Sequence, residues 1–322
     1  MSSKKRPLVL VTGGTGFLGS ALSKSLLEKG FRVRVSTRIQ GKLPSCLEGK
    51  VDLARGFDLA EETDWNDALV GVDFVVHCAA RVHVLKEHSL DPEGDFLREN
   101  VTSTLRLASQ AADLGISRFV FISSIGVNGG VTFDKPFRHD DAPSPVSPYA
   151  HSKYLAEKAL RKLSKETGLE VVSIRPPLIY GKDAPGNFSQ LTRLIDSKVP
   201  LPFGLLNNKR SFVSVENIVD FIGHSLTNDK AAGEVFLISD GKDVSTRQFI
   251  KAISHANRQS VVLLPVPLFL LKVLFLVLGK AGVYEKLCGN LQLDIEHTKS
   301  TTGWRPVTAG EGSMAKHLLE EC

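Results

Sequence analysis

The sequence predicts a doubly wound parallel α/β (Rossmann) sheet with a smaller C-terminal substrate-binding portion. Three observations support this fold class. Short runs rich in Val, Ile and Phe alternate with helical patterns in the first half, a glycine-rich turn directly follows the first run, and prolines break the pattern after Arg175. Such alternation is typical of a parallel sheet with helices on both faces. These sheets bind ligands beyond the carboxyl ends of their strands.

Six apolar runs in the first half have the length and composition of buried strands, at 8–11, 31–36, 51–54, 73–77, 119–123 and 171–174. Helical patterns lie between them, near 17–29, 63–69, 95–114 and 147–167. Shorter elements follow near 188–197, 211–226, 234–239, 245–257 and 308–320. We therefore expect a sheet domain over 1–175 and a mainly substrate-binding portion over 176–322.

The composition argues against several classes of protein. The 322 residues carry a net charge of +5 but no basic stripe interleaved with aromatic residues, so we expect no nucleic-acid binding. The four cysteines are scattered, without the spacing of a metal site, so we expect free thiols, no metal and a cytoplasmic location. The apolar run at 8–11 is too short for the core of a signal peptide.

The stretch 261–278 is almost wholly apolar and approaches the length of a membrane span. Pro265 and Pro267 break its start, so an uninterrupted helix would run only from about Leu268 to Leu278, and Lys272 lies within it. Such a helix is too short to cross a bilayer, and we expect no transmembrane span. The pattern favours a buried or interface helix, with contact to a membrane surface as the alternative.

The glycine-rich turn reads Thr12-Gly13-Gly14-Thr15-Gly16-Phe17-Leu18-Gly19, between the first strand and the first helix. Glycines at 13, 16 and 19 allow a tight turn, close approach of the backbone to a pyrophosphate, and close packing of helix on strand. The N–H groups and the positive helix end would hold the phosphates, which brings in Phe17 and Leu18. The turn therefore predicts an NAD or NADP site.

The end of the second strand decides between the two cofactors, because NAD sites usually place an acid there. Here the strand ends Val35-Ser36-Thr37-Arg38, without a carboxylate. Arg38 would suit a 2′-phosphate, so the sequence favours NADP or tolerance of both cofactors. Asp58 and Leu59 follow the third strand, where Asp58 would accept a hydrogen bond from the adenine amino group.

Tyr149 and Lys153 are four residues apart, which places them on the same face of a predicted helix. An ammonium beside a phenol favours the phenolate, so we expect Lys153 to lower the pKa of Tyr149. A tyrosine tuned in this way can exchange a proton with a carbinol while hydride moves to or from a nicotinamide. Ser123 or Ser124, at the end of the fifth strand, would orient the reacting oxygen.

Together these residues resemble the extended short-chain dehydrogenase/reductase family, and most closely its nucleotide-sugar epimerase/dehydratase branch. The resemblance covers nearly the whole chain. Its landmarks are TGGTGFLG at 12–19, HCAA at 77–80, FISSIGVNG at 121–129, YAHSK at 149–153, RPPLIYG at 175–181, and the segments 209–213 and 303–306.

This resemblance implies a role for each matching residue. Ser124, Tyr149 and Lys153 would form the catalytic triad, with Lys153 also touching the nicotinamide ribose. Further cofactor contacts are implied for Ala79, Ala80, Asn100, Ser123 and Pro176. A nucleotide-sugar substrate is implied to contact Ser124, Asn187, Phe188, Phe203 and Arg210. In these assignments Phe203 packs on the uracil and Arg210 binds the diphosphate, which suits a planar guanidinium. For Asn187 and Phe203, an ordinary loop residue and a core aromatic remain alternatives.

Departures from the family pattern narrow the reaction. The 4,6-dehydratases carry an Asp-Glu pair after the second strand-end residue, and the 3,5-epimerase/reductases carry a cysteine, whereas this chain has Ile125 and Gly126. The reactions that remain are those that transfer only a hydride and one proton. A UDP-hexose 4-epimerase fits the motifs, and Leu291, where some epimerases hold a tyrosine, would admit an N-acetylated sugar for surface polysaccharide.

Three alternatives remain open. Arg38 favours an NADPH-dependent reductase of a UDP-4-keto-6-deoxy sugar. The apolar stretch 261–278 favours a 3β-hydroxysteroid-type or flavonol-type reductase, although Asn187 and Arg210 argue against it. A dinucleotide-sensing protein without catalysis would have no need of a tuned phenol. By family analogy we also expect a homodimer that pairs through the helices near 95–114 and 147–167.

Overall fold

The computed structural model describes residues 6–38, 42–59, 62–82, 89 and 91–307. Its centre is a seven-stranded sheet in which every pair of neighbours is parallel, in the order β3-β2-β1-β4-β5-β6-β9. The order reverses between β1 and β4, which is where doubly wound sheets open a crevice for a ligand. The strands are β1 (Leu8–Thr12), β2 (Arg32–Thr37), β3 (Asp52–Arg55), β4 (Phe74–His77), β5 (Arg118–Ile122), β6 (Glu170–Arg175) and β9 (Val235–Leu237).

Helices cover both faces of this sheet and bury its apolar side chains. One face carries α1 and α7, and the other carries α2, α4 and α5, so that each face forms a separate core cluster. Because both faces are covered, the strands read as continuous apolar runs. The helices are α1 (Phe17–Glu28), α2 (Asn66–Leu69), α3 (Pro92–Leu97), α4 (Ser103–Asp113), α5 (Pro148–Thr167) and α7 (Val215–Thr227).

The C-terminal portion has a third core cluster around Phe249 and Leu271. It contains a two-stranded parallel sheet, β7 (Leu178–Tyr180) and β8 (Phe212–Ser214). Its helices are α6 (Asn187–Asp196), α8 (Thr246–Ala256), α9 (Leu268–Val277), α10 (Ala281–Cys288) and α11 (Glu296–Thr302). The chain returns to the main sheet through α7 and β9, so the division of the chain near residue 175 does not coincide with the edge of the sheet.

The six strands expected in the first half are present, each within one or two residues of its predicted bounds. One predicted helix and one predicted element of unspecified type are each divided. The segment 95–114 consists of α3, a π-helical turn at Arg98–Thr102 and α4, while 211–226 consists of β8 and α7. The predicted element at 308–320 lies outside the described residues.

The structure excludes one of the two environments expected for the apolar stretch 261–278, and an interface remains a prediction. The helix of this stretch, α9, has the predicted position, but it is not buried: Leu271 is its one buried side chain. Pro267 precedes the helix and Gly279 follows it, which limits its length to ten residues. Over the described ranges no helix combines the length and apolarity that a membrane crossing requires.

Candidate active site

The glycine-rich turn between β1 and α1 leaves room for a phosphate at the helix start. Gly13 has φ +67, and a Cβ there would stand 2.9 Å from the backbone nitrogen of Ala79. A Cβ on Gly19 would stand 2.3 Å from the carbonyl oxygen of Gly13. The N-cap of α1 is Gly16, no side chain caps the helix, and no acid occupies its first turn. These features are those of an anion-binding helix N-terminus.

The carboxyl end of β2 contains a residue that the sequence analysis missed. The Thr37 hydroxyl is buried, and its Oγ1 has no hydrogen-bond partner among the described residues. Arg38 follows and is exposed, and no carboxylate stands at this strand end. Leu59 is half-buried, and the exposed Asp58 accepts a hydrogen bond from the Thr63 hydroxyl at 3.0 Å. An orphaned hydroxyl beside Arg38 is a fitting partner for the adenosine ribose.

His77, at the end of β4, ties this edge of the sheet together. Its Nδ1 lies 2.8 Å from the Thr12 hydroxyl and its Nε2 lies 3.0 Å from the Thr104 hydroxyl. The Thr12 hydroxyl also accepts from the backbone nitrogen of Ala79 at 3.3 Å. Burial, aided by the nearby Lys153 charge, lowers the pKa of His77 to about 3. The ring is therefore neutral at physiological pH and positions the glycine turn against Ala79.

Because the pKa of His77 is lowered in the folded state, only the unfolded chain takes up this proton between about pH 6.5 and about pH 3. Stability is therefore lost as the pH falls through that window, by about 2 kcal/mol between pH 6.5 and about pH 5. Urea unfolding across this range should show a smaller loss for His77→Gln, while substitution of the exposed His151 by Gln keeps the wild-type loss. Parallel curves for wild type and His77→Gln would contradict this assignment.

Asn100 lies in the π-helical turn and holds the loop after β4. Its Oδ1 accepts from the Arg81 backbone nitrogen at 2.8 Å, while its Nδ2 donates to the Arg81 carbonyl and to the Ser152 hydroxyl, each at 3.0 Å. Asn100 thus joins the loop of Ala79 and Ala80, which are both half-buried, to α5. π-helical turns often occur at functional sites.

Tyr149 and Lys153 lie on the first turns of α5. Pro148 occupies the first turn, and Ser147 caps the helix by accepting from the Ala150 backbone nitrogen at 3.2 Å. The Lys153 Nζ donates to the Ile122 carbonyl at 2.8 Å and lies 4.5 Å from the Phe121 ring centroid. It is 6.0 Å from the centroid of the Tyr149 ring. The two side chains therefore share one helix face beside the end of β5.

The expected lowering of the Tyr149 pKa is not found, because burial dominates and raises the pKa of this phenol to about 12. Burial also lowers the pKa of Lys153 to about 8, opposed by the neighbouring Cys78 and Glu157. Lys153 is still mainly protonated at neutral pH and retains a positive charge in this region.

Ser123 and Ser124 follow β5 and differ in their environments. The Ser123 Oγ is buried and has no hydrogen-bond partner among the described residues. Ser124 caps a 3-10 turn by accepting from the Gly126 backbone nitrogen at 3.1 Å. A Cβ built on Gly126 would lie 3.3 Å from Ser124 Oγ and 3.1 Å from the Ala150 Cβ. Gly126 therefore allows Ser124 to approach the start of α5, next to Tyr149.

The residues present fit a dinucleotide. Two buried hydroxyls without partners, on Thr37 and Ser123, mark two positions along the carboxyl edge of the sheet, and the open N-terminus of α1 follows β1 between their strands. Cys78 and Ala79 pass directly over Gly13, and Lys153 is close enough to Cys78 to influence its thiol. The carbonyl of the buried Pro176 accepts a hydrogen bond from the Ile125 backbone nitrogen at 2.9 Å.

A buried ion pair supports α5 from behind the site, and the sequence analysis did not foresee it. Arg175, at the end of β6, donates to both carboxylate oxygens of Glu157 at distances from 2.5 to 3.2 Å. The same guanidinium donates to the Asn128 Oδ1 at 2.9 Å. Asn128 thereby connects the turn after Ser124 to the ion pair, which accounts for an asparagine at this position.

The substrate side contains the half-buried Arg210. The Arg210 Nη1 donates to the Gly289 carbonyl at 2.9 Å, and burial lowers the pKa of Arg210 to about 10, so it stays charged. Asn187 is exposed at the start of α6. Leu291 packs beside Ile125 in a small apolar cluster, which places it close to the turn of Ser124.

Phe188 and Phe203 are both buried in the core cluster of the C-terminal portion. Their rings are 4% and 3% exposed, and Phe188 packs edge-on against Phe249 with 6.1 Å between the ring centroids. In this arrangement neither ring presents a face to a ligand. The burial favours the role of a core aromatic that the sequence left open for Phe203. Over the described residues, no group of three His, Cys, Asp or Glu side chains is arranged to hold a metal.

Comparison with known proteins gives consistent results. Residues 9–239 match the model of the NAD dependent epimerase/dehydratase family. The chain is 41% identical over 301 residues to a UDP-glucose 4-epimerase of Vibrio cholerae, covering 92% of this chain and 90% of the relative.

A second relative is the N-acetyl-alpha-D-glucosaminyl-diphospho-ditrans,octacis-undecaprenol 4-epimerase of Escherichia coli O157:H7. It is 26% identical over 320 residues, which cover 94% of this chain and 92% of the relative. Among solved structures, the UDP-glucose 4-epimerase of Thermotoga maritima with UDP-glucose superposes with a TM-score of 0.76 at 22% identity, covering 96% of this chain and 97% of that chain. At that identity the likeness is one of fold.

Proposed function

We propose that this chain, which belongs to the NAD dependent epimerase/dehydratase family, catalyses the 4-epimerisation of a UDP-hexose. One observation carries the proposal. What supports it is that Gly126 lies against both the Ser124 Oγ and Ala150 at the start of α5, the helix on which Tyr149 and Lys153 share a face. The residues after Ser124 are Ile125 and Gly126, which cannot transfer the additional protons that dehydration requires. The 41% identity to a UDP-glucose 4-epimerase supports the same reaction.

In this reaction Tyr149 removes the proton of the C4 hydroxyl and returns it after the sugar has presented its other face. Ser124 donates a hydrogen bond to the C4 oxygen and so orients it, because its Oγ already accepts from Gly126. Lys153 supplies a nearby positive charge that opposes the effect of burial on the phenol. Gly13–Gly19, Thr37 and Ser123 would hold the dinucleotide, which would supply the hydride chemistry at C4.

Arg210 is the proposed anchor of the substrate diphosphate. A planar guanidinium matches two phosphate oxygens, and the half-buried Arg210 retains more of the Coulomb attraction than an exposed arginine does. Asn187 is proposed to contact the same diphosphate from the exposed start of α6. Leu291 lies in the same apolar cluster as Ile125, and a leucine there is smaller than the tyrosine expected in some epimerases, so UDP-N-acetylhexosamine is included as a substrate.

The test is interconversion without added cofactor. Purified protein is incubated with UDP-glucose or UDP-N-acetylglucosamine, the 4-epimer is measured by anion-exchange chromatography, and the cofactor released by denaturation is identified by mass spectrometry. We expect the epimer to form and a dinucleotide to be released. Turnover that requires added NADPH and a UDP-4-keto sugar would instead establish the reductase.

The identity of the dinucleotide is decided at Thr37 and Arg38. The family description supports NAD, whereas the strand end offers a guanidinium and a hydroxyl without a carboxylate. We propose that the site accepts both cofactors, with Arg38 available for the 2′-phosphate of NADP. Mass spectrometry of the cofactor released by denaturation tests this proposal, because it identifies the dinucleotide as NAD, NADP or a mixture of the two.

A second candidate is 4-epimerisation of a sugar diphosphate joined to a lipid, as in the name of the Escherichia coli relative. The favouring observation is that the exposed apolar helix α9 is followed by α10, which ends next to Gly289, whose carbonyl contacts Arg210. Parallel assays with a polyprenyl-diphosphate sugar decide between the two substrates.

We further propose a homodimer that pairs through α4 and α5 and a cytoplasmic site of action, where the free Cys46, Cys78 and Cys288 would stay reduced.

A further inference from the structure

The helix α9 presents apolar side chains to solvent around most of its circumference. Val277 is 80% exposed, Phe269 67% and Val273 54%, whereas Leu271 is fully buried. Further exposed side chains on or next to the helix are Leu268, Leu270, Leu274, Leu276 and Leu278. A soluble surface rarely leaves a helix with every face apolar uncovered, so this helix needs an occupant.

The helix is held firmly on the body of the protein. Leu271 lies in the core cluster of the C-terminal portion, together with the half-buried Tyr284 and Leu287 of α10. The Phe275 and Tyr284 rings are 6.1 Å apart, so the two helices form a hairpin. The Leu287 carbonyl accepts from the Thr246 hydroxyl at 2.6 Å, which fixes the end of α10. The apolar surface of α9 is therefore a fixed feature of the fold.

Charge around the hairpin is mainly positive. From Val244 to Cys288, where α10 ends, the sequence contains one acid, the exposed Glu285, and six Lys or Arg residues: Arg247, Lys251, Arg258, Lys272, Lys280 and Lys286. Lys272 is exposed at the flank of the apolar face of α9, and Lys280 is exposed at the start of α10. Long lysine side chains at such positions can reach phosphate headgroups while the neighbouring apolar groups enter the acyl region.

We propose that α9, with the start of α10, docks onto an anionic phospholipid bilayer as a peripheral membrane anchor. Apolar insertion and lysine–headgroup attraction act together in this mode, and neither requires the chain to cross the membrane. A second copy of the chain is a poorer occupant, because a two-fold contact would bring Lys272 and Lys280 near their own equivalents, and the one acid of the hairpin, Glu285, would leave most of that positive charge unpaired. The bilayer also surrounds a protruding helix on more sides than a flat protein surface does.

The consequence concerns the position of the active site. The chain passes from α10 through Gly289 to Leu291, where the Gly289 carbonyl binds Arg210 and Leu291 packs against Ile125. Docking through the hairpin would hold the proposed diphosphate site close to the bilayer surface. The anchor itself stands on the exposure and charge of the hairpin and does not depend on which sugar is the substrate.

The experiment is flotation of the full chain with vesicles of phosphatidylcholine alone or of phosphatidylcholine mixed with phosphatidylglycerol. We expect binding to the anionic vesicles, weakening with added salt. The variant V273E/V277E should bind at least about tenfold more weakly, since both new charges lie on the apolar face. K272Q and K280Q should each weaken binding about fivefold.

The matched control is Val70→Glu, because Val70 is 63% exposed and lies outside the hairpin. It should bind the vesicles as the wild type does, and thermal unfolding checks that all variants are folded. Binding that survives V273E/V277E, or no binding to anionic vesicles, would overturn the proposal. Light scattering that shows a dimer lost in V273E/V277E, without vesicle binding by the wild type, would assign the surface to a second copy instead.

Discussion

Replacing Tyr149 by Phe should lower turnover by about 100- to 10,000-fold, the range that a positioned acid/base group contributes. This corresponds to about 3–5 kcal/mol in the activation barrier. The ring remains, so its edge contact with Phe96, at 6.2 Å between centroids, should persist and the fold should be unchanged. Steady-state rates of UDP-hexose interconversion check the prediction, together with the amount of dinucleotide released from each protein.

Tyr154→Phe is the matched control, since Tyr154 is a half-buried tyrosine on the same helix, outside the proposed triad. It should keep turnover within a few-fold of the wild type. Two results would contradict the assigned role: nearly full turnover in Tyr149→Phe, or an equal loss in both variants. A loss of dinucleotide from Tyr149→Phe would point to binding rather than proton transfer.

Arg175→Ala should destabilise the protein by about 3–5 kcal/mol, because it leaves the Glu157 carboxylate buried without its charge partner. Both side chains are almost fully buried, at 4% and 3% exposure, and the closest nitrogen–oxygen distance is 2.5 Å. Loss of the guanidinium also frees the amide of Asn128, which connects to the turn carrying Ser124. We therefore expect lower turnover in addition to lower stability.

Urea unfolding measures the stability change, with Lys162→Ala as the control. Lys162 pairs with Glu166 at 3.8 Å on the exposed side of the same helix, where an ion pair contributes little. The double substitution Glu157→Leu/Arg175→Met should recover much of the lost stability, since it removes both charges. A double variant no more stable than Arg175→Ala would show that the loss arises from packing rather than from an unpaired charge.

The parts of the site that could be predicted from sequence depend on short-range geometry. Glycines at 13, 16 and 19 follow a strand and begin a helix, so their spacing alone defines the turn. Tyr149 and Lys153 are one helical turn apart, so the helical period places them together. Strand ends could be located because parallel sheets align their carboxyl edges.

The remaining features depend on contacts between distant parts of the chain. The ion pair of Glu157 and Arg175 joins α5 to β6, and no local sequence pattern predicts this contact. The unpartnered hydroxyl of Thr37 is visible only once burial is known. The pKa of Tyr149 depends on how burial compares with the distance to Lys153, which spacing along a helix does not determine. The exposure of α9 depends on what packs against it, and composition alone could not distinguish a buried helix from an interface helix.

The last strand of the main sheet has a consequence for how the protein is made. β9 pairs with β6 through Ser173–Arg175 and Val235–Leu237, so some sixty residues of intervening chain must leave the ribosome before the sheet is complete. Until then β6 presents an open edge, which is a template for pairing with another nascent chain. As the chain is synthesised from its N-terminus, the main sheet therefore stays incomplete until β9 has been made. The N-terminal half does not fold to completion before the C-terminal half is added. A chimaera that takes its C-terminal half from a relative would therefore also take β9 from that relative, and this strand must still pair with β6.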